Sequence, residues 1–180
     1  MTKSKTIFSE TIHSNPWYAY KHDKYVLPNG VESDYYYLET HGNAMVVPVL
    51  DDGRLVLVAQ YRYLGDKPSV EFPCGGVKSD ESPMKAAARE LLEETGYVSE
   101  ELIKAGTFEG LNGLARDTSH LFVAMEIEKK RDPSPESTEI LEVILRRPDE
   151  LDDMIKRGEI WDGQTLAAWA MVRQSVISRL

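Results

Sequence analysis

"PCGGVKSDESPMKAAARELLEETGY", Pro73 to Tyr97, carries the residues that decide how this chain is read. Ser82 is suited to cap a helix, Pro83 to its first helical position and Gly96 to the left-handed residue that ends it. Between them, Met84 to Thr95 are mostly good helix formers. At roughly 100° per residue, Met84, Ala88, Leu91 and Thr95 fall on one side, while Glu90, Glu93 and Glu94 share another. Like charges four residues apart destabilise a helix by roughly 0.2–0.5 kcal/mol, so Glu90 and Glu94 call for a cation between them. Mg²⁺ suits that position: it prefers carboxylate oxygens, keeps several waters and is commonly completed by substrate phosphates. Mn²⁺ is expected to substitute. The plainer alternative pairs Arg89 with Glu93 at i+4 and leaves the run as a solvated helix surface. Gly75 and Gly76, directly before the helix, favour a site, because glycine lets backbone approach a ligand closely.

The rest of the chain sets bounds on that site. At 180 residues it is long enough for one domain with a sizeable core. With 42% hydrophobic and 28% charged residues it has the composition of a folded globular chain, not a disordered one. Thirty acidic residues against 21 basic give a formal charge of −9, which argues against a broad surface for nucleic acid. The single cysteine, Cys74, excludes an intramolecular disulfide and suggests a reducing compartment. No apolar leader is visible, and runs such as "LVLVA" are too short to cross a bilayer. A cytoplasmic protein without a membrane or nucleic-acid partner is the expectation.

Outward from the helix, strand signals dominate. "NAMVVPVL" and "RLVLVAQYRYL", separated by "DDG", predict a β-hairpin. "IKAGTFEG", "HLFVAMEIE" and "ILEVIL" read as further strands, and "KKRDPSPESTE" as a polar loop. Two helices close the chain: "DELDDMIKRG", ending on Gly158, and "QTLAAWAMVRQSVISRL", whose Leu166, Trp169, Ala170 and Val176 are placed to share a buried face. Residues 1–42, with "NPW", "LPNG" and "YYYLET", read as a strand-bearing arm before a domain over 43–180.

At this point the sequence resembles the Nudix hydrolases. Gly75, five residues, Glu81, seven residues, Arg89-Glu90-Leu91, any residue, Glu93-Glu94, any residue, Gly96 and Tyr97 reproduce the Nudix box over 23 residues, with only Tyr97 departing from the usual aliphatic. The resemblance implies an α+β fold, a mixed sheet sandwiched between helices. It also implies Mg²⁺-dependent cleavage of a nucleoside diphosphate linked to another group. By position it makes Glu90 and Glu94 the main metal ligands, Glu93 the ligand of a further metal, Arg89 the residue that holds the glutamates, and the Cys74 carbonyl a metal donor. Glu81 would steady the loop or edge the metal cluster. Clustered cations neutralise pyrophosphate oxygens while water attacks phosphorus in line.

"VVPV", "LVLVAQYR", "VEFPCGG" and "GEIWDGQT" resemble the ADP-ribose pyrophosphatase branch. In that branch Arg62 would contact substrate phosphate and Glu71 would shape the site; otherwise Arg62 is an edge-strand charge with a surface partner. The branch draws a catalytic glutamate from the loop before a late strand, here Glu139 with Glu136 as substitute. Trp17 would stack on adenine across a homodimer joined through the arm, or else pack inside the arm. Asn112-Gly113 stands where the branch usually has proline, which loosens the substrate assignment. Arg116 nearby is either a substrate contact or a partner of Asp117 or Glu109, and His120 reads as packed. The substrate implied is ADP-ribose or a related nucleoside diphosphate sugar. GDP-mannose, ADP-glucose, a nucleoside triphosphate, or nucleotide sensing without cleavage are the alternatives.

Overall fold

The computed structural model describes residues 3–134 and 140–179. The chain divides into two compact units, Met1–Gly42 with Glu109–Thr118, and Asn43–Phe108 with Ser119–Leu180.

In the first unit, β1 (Lys5–Ser14), β2 (Ala19–Val26) and β3 (Glu32–Glu39) form an antiparallel meander. Asn15 builds the first turn: its Oδ1 accepts from the amides of Trp17 and Tyr18, both at 2.9 Å. Gly30, at φ 85°, serves the second. The period of two sends Tyr35 and Tyr37 to one face of β3 and Tyr36 to the other, where its ring stacks on His22 at 4.4 Å. β1 is exposed along its whole length.

In the second unit, β4 (Asn43–Pro48) is buried throughout. β5 (Leu55–Arg62) and β6 (Lys67–Glu71) follow, then β7 (Cys74–Gly76), α1 (Pro83–Glu90), β8 (Tyr97–Val98) and β9 (Leu102–Glu109). β10 (Ala115–Arg116) returns to the first unit and pairs parallel with Leu38 and Glu39 of β3. The chain ends with β11 (Thr118–Ala124), β12 (Glu128–Lys129), β13 (Leu141–Arg146), α2 (Pro148–Lys156) and α3 (Gly163–Ile177).

The expected hairpin of "NAMVVPVL" and "RLVLVAQYRYL" does not form as a ladder. The turn is made, with Leu50 N–H donating to Arg54 O at 2.8 Å, but only Val49 and Leu55 bridge. Beyond it β4 takes β11 in parallel and β7 antiparallel, in the order β7-β4-β11-β9, while β5 lies between β13 and β6. β4 is buried throughout and β5 over Leu55–Val58, and apart each has a strand on both edges.

Alternation along β4 and β11 fixes the layers. Met45, Val47, Leu121 and Val123 join Trp169 and Val172 of α3 and Leu151 of α2 in one core. Ala44, Val46, Phe122 and Ala124 join Ala86, Ala87 and Leu91 in a second. A mixed sheet thus lies between α1 on one face and α2 with α3 on the other. Ala170, expected in the core, is exposed; Thr165, Ala168, Trp169, Val172 and Val176 form the buried stripe of α3.

Candidate active site

The α1 helix starts as its residues dictate: Ser82 Oγ accepts from Lys85 N–H at 3.4 Å, and Pro83 fills the first turn. Of the side that gathers Met84, Ala88, Leu91 and Thr95, the structure buries Leu91 and Thr95. Met84 is 49% exposed and Ala88 is exposed, while Ala86, Ala87 and Leu91 pack on the sheet. The two alanines let the helix lie close to β4, and the same rotation carries Glu90 and Glu94 inward, 8% and 3% exposed.

Both carboxylates meet the loop that precedes the helix. A Cβ on Gly75 would stand 1.9 Å from Glu90 Oε1, so any side chain here would displace the Glu90 carboxylate. Glu94 Oε2 accepts from the Cys74 amide at 3.2 Å. Burial, with the nearby Glu94 and Glu90 carboxylates, pushes the Cys74 thiol well above its ordinary pKa. Gly76 has open space where its side chain would be, and its carbonyl accepts from Arg89 Nη2 at 3.0 Å.

Arg89 ties the helix to the loop. Its Nη1 reaches Glu90 at 2.6 Å and Glu93 at 3.1 Å, and its Nε and Nη2 grip Glu81 at 3.1 and 3.0 Å. The expected i+4 pair with Glu93 is therefore one bond of five. Hydrogen bonding from Arg89 holds the Glu81 carboxyl below its ordinary pKa. Repulsion among the glutamates is offset by an internal cation.

Arg62 is not a plain edge charge. Its Nε donates to Glu71 Oε1 at 2.7 Å and its Nη2 to Oε2, and Glu71 is 3% exposed. Gln60, two residues earlier on the same face, adds a bond to Glu71 at 3.2 Å. Gln60 has only the i, i+2 spacing in "QYR" to mark it in the sequence, which places it on the same face as Arg62.

In the first unit, Trp17 is 77% exposed, so it does not pack inside the arm. With Arg116, Tyr18, Glu39 and His41 it lines a cavity of about 380 Å³. Arg116 pairs with Glu39 and lies 5.0 Å from the Tyr37 ring, instead of pairing with Asp117 or Glu109. Those two acids bond Thr40 and Thr118. His120 sits partly buried in β11 opposite Ala44. Glu136 and Glu139 lie outside the described residues.

Among the described residues, no three His, Cys, Asp or Glu side chains converge as a metal-binding group. Glu93 is drawn to Arg89, which leaves the buried Glu90 and Glu94 facing the Cys74–Gly75 backbone. Two hard carboxylates side by side against this loop suit a divalent cation that keeps waters and takes phosphate oxygens, better than one caged by protein alone.

A mixed sheet between helices, with a glycine loop clasping an acidic helix, is the arrangement of a Nudix hydrolase. A Nudix domain matches residues 39–169, and the chain belongs to that family. It is 32% identical over 170 residues to an ADP-ribose pyrophosphatase of Bacillus subtilis, spanning 92% of this chain and 90% of that protein. It is 33% identical over 167 residues to a methanol dehydrogenase activator of Bacillus methanolicus, with the same two coverages, 92% and 90%. A solved structure described as an ADP compounds hydrolase shares the fold with a TM-score of 0.85 at 20% identity, covering 99% of this chain and 97% of its own. No described helix is long and apolar enough to cross a membrane.

Proposed function

We propose that this Nudix hydrolase cleaves, with Mg²⁺ or Mn²⁺, the pyrophosphate of ADP-ribose or a related nucleoside diphosphate sugar, giving a nucleoside monophosphate and a sugar phosphate. The observation that carries this reading is the convergence of Glu90 and Glu94 on the Cys74–Gly75 loop, where a Cβ on Gly75 would meet the Glu90 carboxylate. The 32% identity to an ADP-ribose pyrophosphatase supports the substrate class.

Glu90, Glu94 and the Cys74 carbonyl would hold the cation, with Glu93 available to another. Once bound, it supplies charge neutralisation on the pyrophosphate oxygens and lowers the pKa of a bound water. Arg89 fixes Glu90 and Glu93 in place, and the Cys74 amide orients Glu94. Glu71 holds the Arg62 guanidinium in a two-pronged grip, ready for a phosphate. Glu139, with Glu136 as substitute, takes the proton from the attacking water. Trp17 offers an exposed ring to the base. Arg116 lines the same cavity.

The arm joins two copies as a homodimer, a reading supported by the exposed β1 with Ile7, Phe8 and Ile12 each 45–50% exposed. A monomer in light scattering would remove it. The single cysteine supports a cytoplasmic site of action.

The test is a panel of nucleoside diphosphate sugars and triphosphates, assayed for phosphomonoester products with and without Mg²⁺, for wild type and Glu94→Gln. Metal-dependent turnover of ADP-ribose by wild type, lost in the variant, is the expected result. Binding without cleavage in every divalent metal would sink the enzyme assignment and leave a sensor.

A further inference from the structure

One residue beyond Glu90 the helix leaves α geometry, and Leu91–Thr95 forms a π turn before Gly96 ends it at φ 77°. Such turns take one more residue than an α turn and need their carbonyls re-satisfied. Here the Leu91, Leu92 and Glu93 carbonyls have partners, Leu92 through the Gly96 amide at 3.0 Å. Thr95, fully buried, donates its hydroxyl to the Leu91 carbonyl and accepts from the Tyr97 amide at 3.2 Å. The Ser134 amide donates to the Glu93 carbonyl at 2.8 Å, and the Lys130 and Arg131 amides donate to the Gly96 carbonyl at 2.9 and 3.3 Å. A Cβ on Gly96 would stand 2.1 Å from the Arg131 carbonyl oxygen, so the chain packs tightly against the helix end.

The turn redirects side chains. In unbroken α geometry Glu94 would stand about 40° past Glu90 around the axis. A wider turn holds it back, more nearly beneath Glu90, so that both face the Cys74–Gly75 loop while Glu93 turns to Arg89. A β-branched hydroxyl residue is a poor choice for a helix interior but a good one for capturing an i−4 carbonyl.

We propose that Thr95 is a positioning residue: its hydroxyl holds the π turn that sets Glu94 against the Cys74–Gly75 loop, and so sets the affinity of the site for a divalent cation. This rests on the reading of Glu90 and Glu94 as metal ligands.

The experiment titrates Mn²⁺ into the full chain without substrate, following free Mn²⁺ by EPR, for wild type, Thr95→Val and Thr95→Ser, with circular dichroism to establish folding. Thr95→Val should weaken Mn²⁺ binding about tenfold or more, the scale for residues that support metal ligands. It should lower kcat more than it raises KM. Thr95→Ser, which keeps the hydroxyl, should recover binding to within about threefold of wild type. If Thr95→Val does not fold, Thr95→Ala removes the hydroxyl without bulk and is read in its place. A folded hydroxyl-less variant that binds Mn²⁺ like wild type overturns the inference alone, as does a serine variant as weak as valine. A wild type that takes up no Mn²⁺ overturns the metal reading and the inference with it.

Discussion

The two units treat charge in opposite ways. In the second, Glu71, Glu90 and Glu94 are buried and the groups around them are bonded several times over, with Arg89 alone touching Glu81, Glu90, Glu93 and the Gly76 carbonyl. In the first, Trp17 and all of β1 face solvent, and Arg116 is anchored at one end by Glu39. Groups that must meet a reacting phosphate to within fractions of an ångström need such over-determination. Groups that contribute flat contact area do not. Substitutions where the Cys74–Gly75 loop meets Glu90 and Glu94 should therefore cost turnover, and those in the first unit affinity.

The largest expected effect is at Gly75. Alanine there would drive its Cβ into the Glu90 carboxylate, which stands 1.9 Å from the built position. Gly75→Ala should lower kcat by about a hundredfold or more, the scale of a misplaced catalytic geometry, with the circular dichroism spectrum unchanged. Near-normal turnover would show that Glu90 is free to move aside, and would dissolve the contrast between the units. Glu71→Gln comes next. Neutral amide bonds would replace charged ones to Arg62, and because Arg62 is half exposed the lower end of the usual range applies, about tenfold in KM. An unchanged KM would take Arg62 out of substrate binding.

Mg²⁺ should sharpen the contrast without any mutation. A cation present at a hundred times its dissociation constant stabilises the native state by about 2.7 kcal/mol, or roughly 5–10 °C in a chain of this size. Calorimetry with and without Mg²⁺ reads the shift, and Glu94→Gln should abolish most of it. In the first unit, Trp17→Ala should leave the melting temperature within about two degrees, since surface changes usually fall within ±0.5 kcal/mol. KM for an adenine nucleotide should rise about threefold to tenfold, as befits a lost stacking contact. An unaltered KM would leave the arm without a part in substrate binding.

Local signals made much of this legible. Ser82, Pro83 and Gly96 bounded the helix, and β-branched runs marked β4 and β5, because caps and strand patterns act within a few residues. Pairing did not follow from them: "DDG" makes its turn, yet β4 pairs with β11, whose Ser119 lies opposite Asn43, because a strand apolar on both faces belongs inside a sheet covered on both faces, and local sequence does not say which strand flanks it there. The buried face of α1 went to Ala86 and Ala87 instead of Met84 because close approach to the sheet outweighed side-chain size, and no count of apolar residues shows that. The two-residue β10 and the π turn are too short for any periodicity to register. Even so, the Nudix box located the carboxylates that the structure brings together. The resemblance also gave Arg89 the task of holding them; its bond to the Gly76 carbonyl and the bond from the Cys74 amide to Glu94 join residues far apart in the chain, and no local pattern marks them.

The smallest effect tests whether the first unit has any over-determined charge of its own. His22 Nδ1 lies 3.0 Å from Glu10 and its Nε2 2.6 Å from Asp34, on strands either side of β2, while its ring stacks on Tyr36. Bonds to Glu10 and then Asp34 hold its pKa above the ordinary 6.5. A raised folded-state pKa means that the stabilisation is complete below about 6.5 and is lost as pH climbs through the folded value. Both acids are half exposed, so the change is small and salt should shrink it further. Between pH 6 and 8 the tyrosine near-ultraviolet signal of wild type should melt at falling temperature, and His22→Gln should flatten that slope. An equal slope in both would mean that Glu10 and Asp34 do no more for His22 than water does, and the arm would then be held by strand pairing and ring stacking alone.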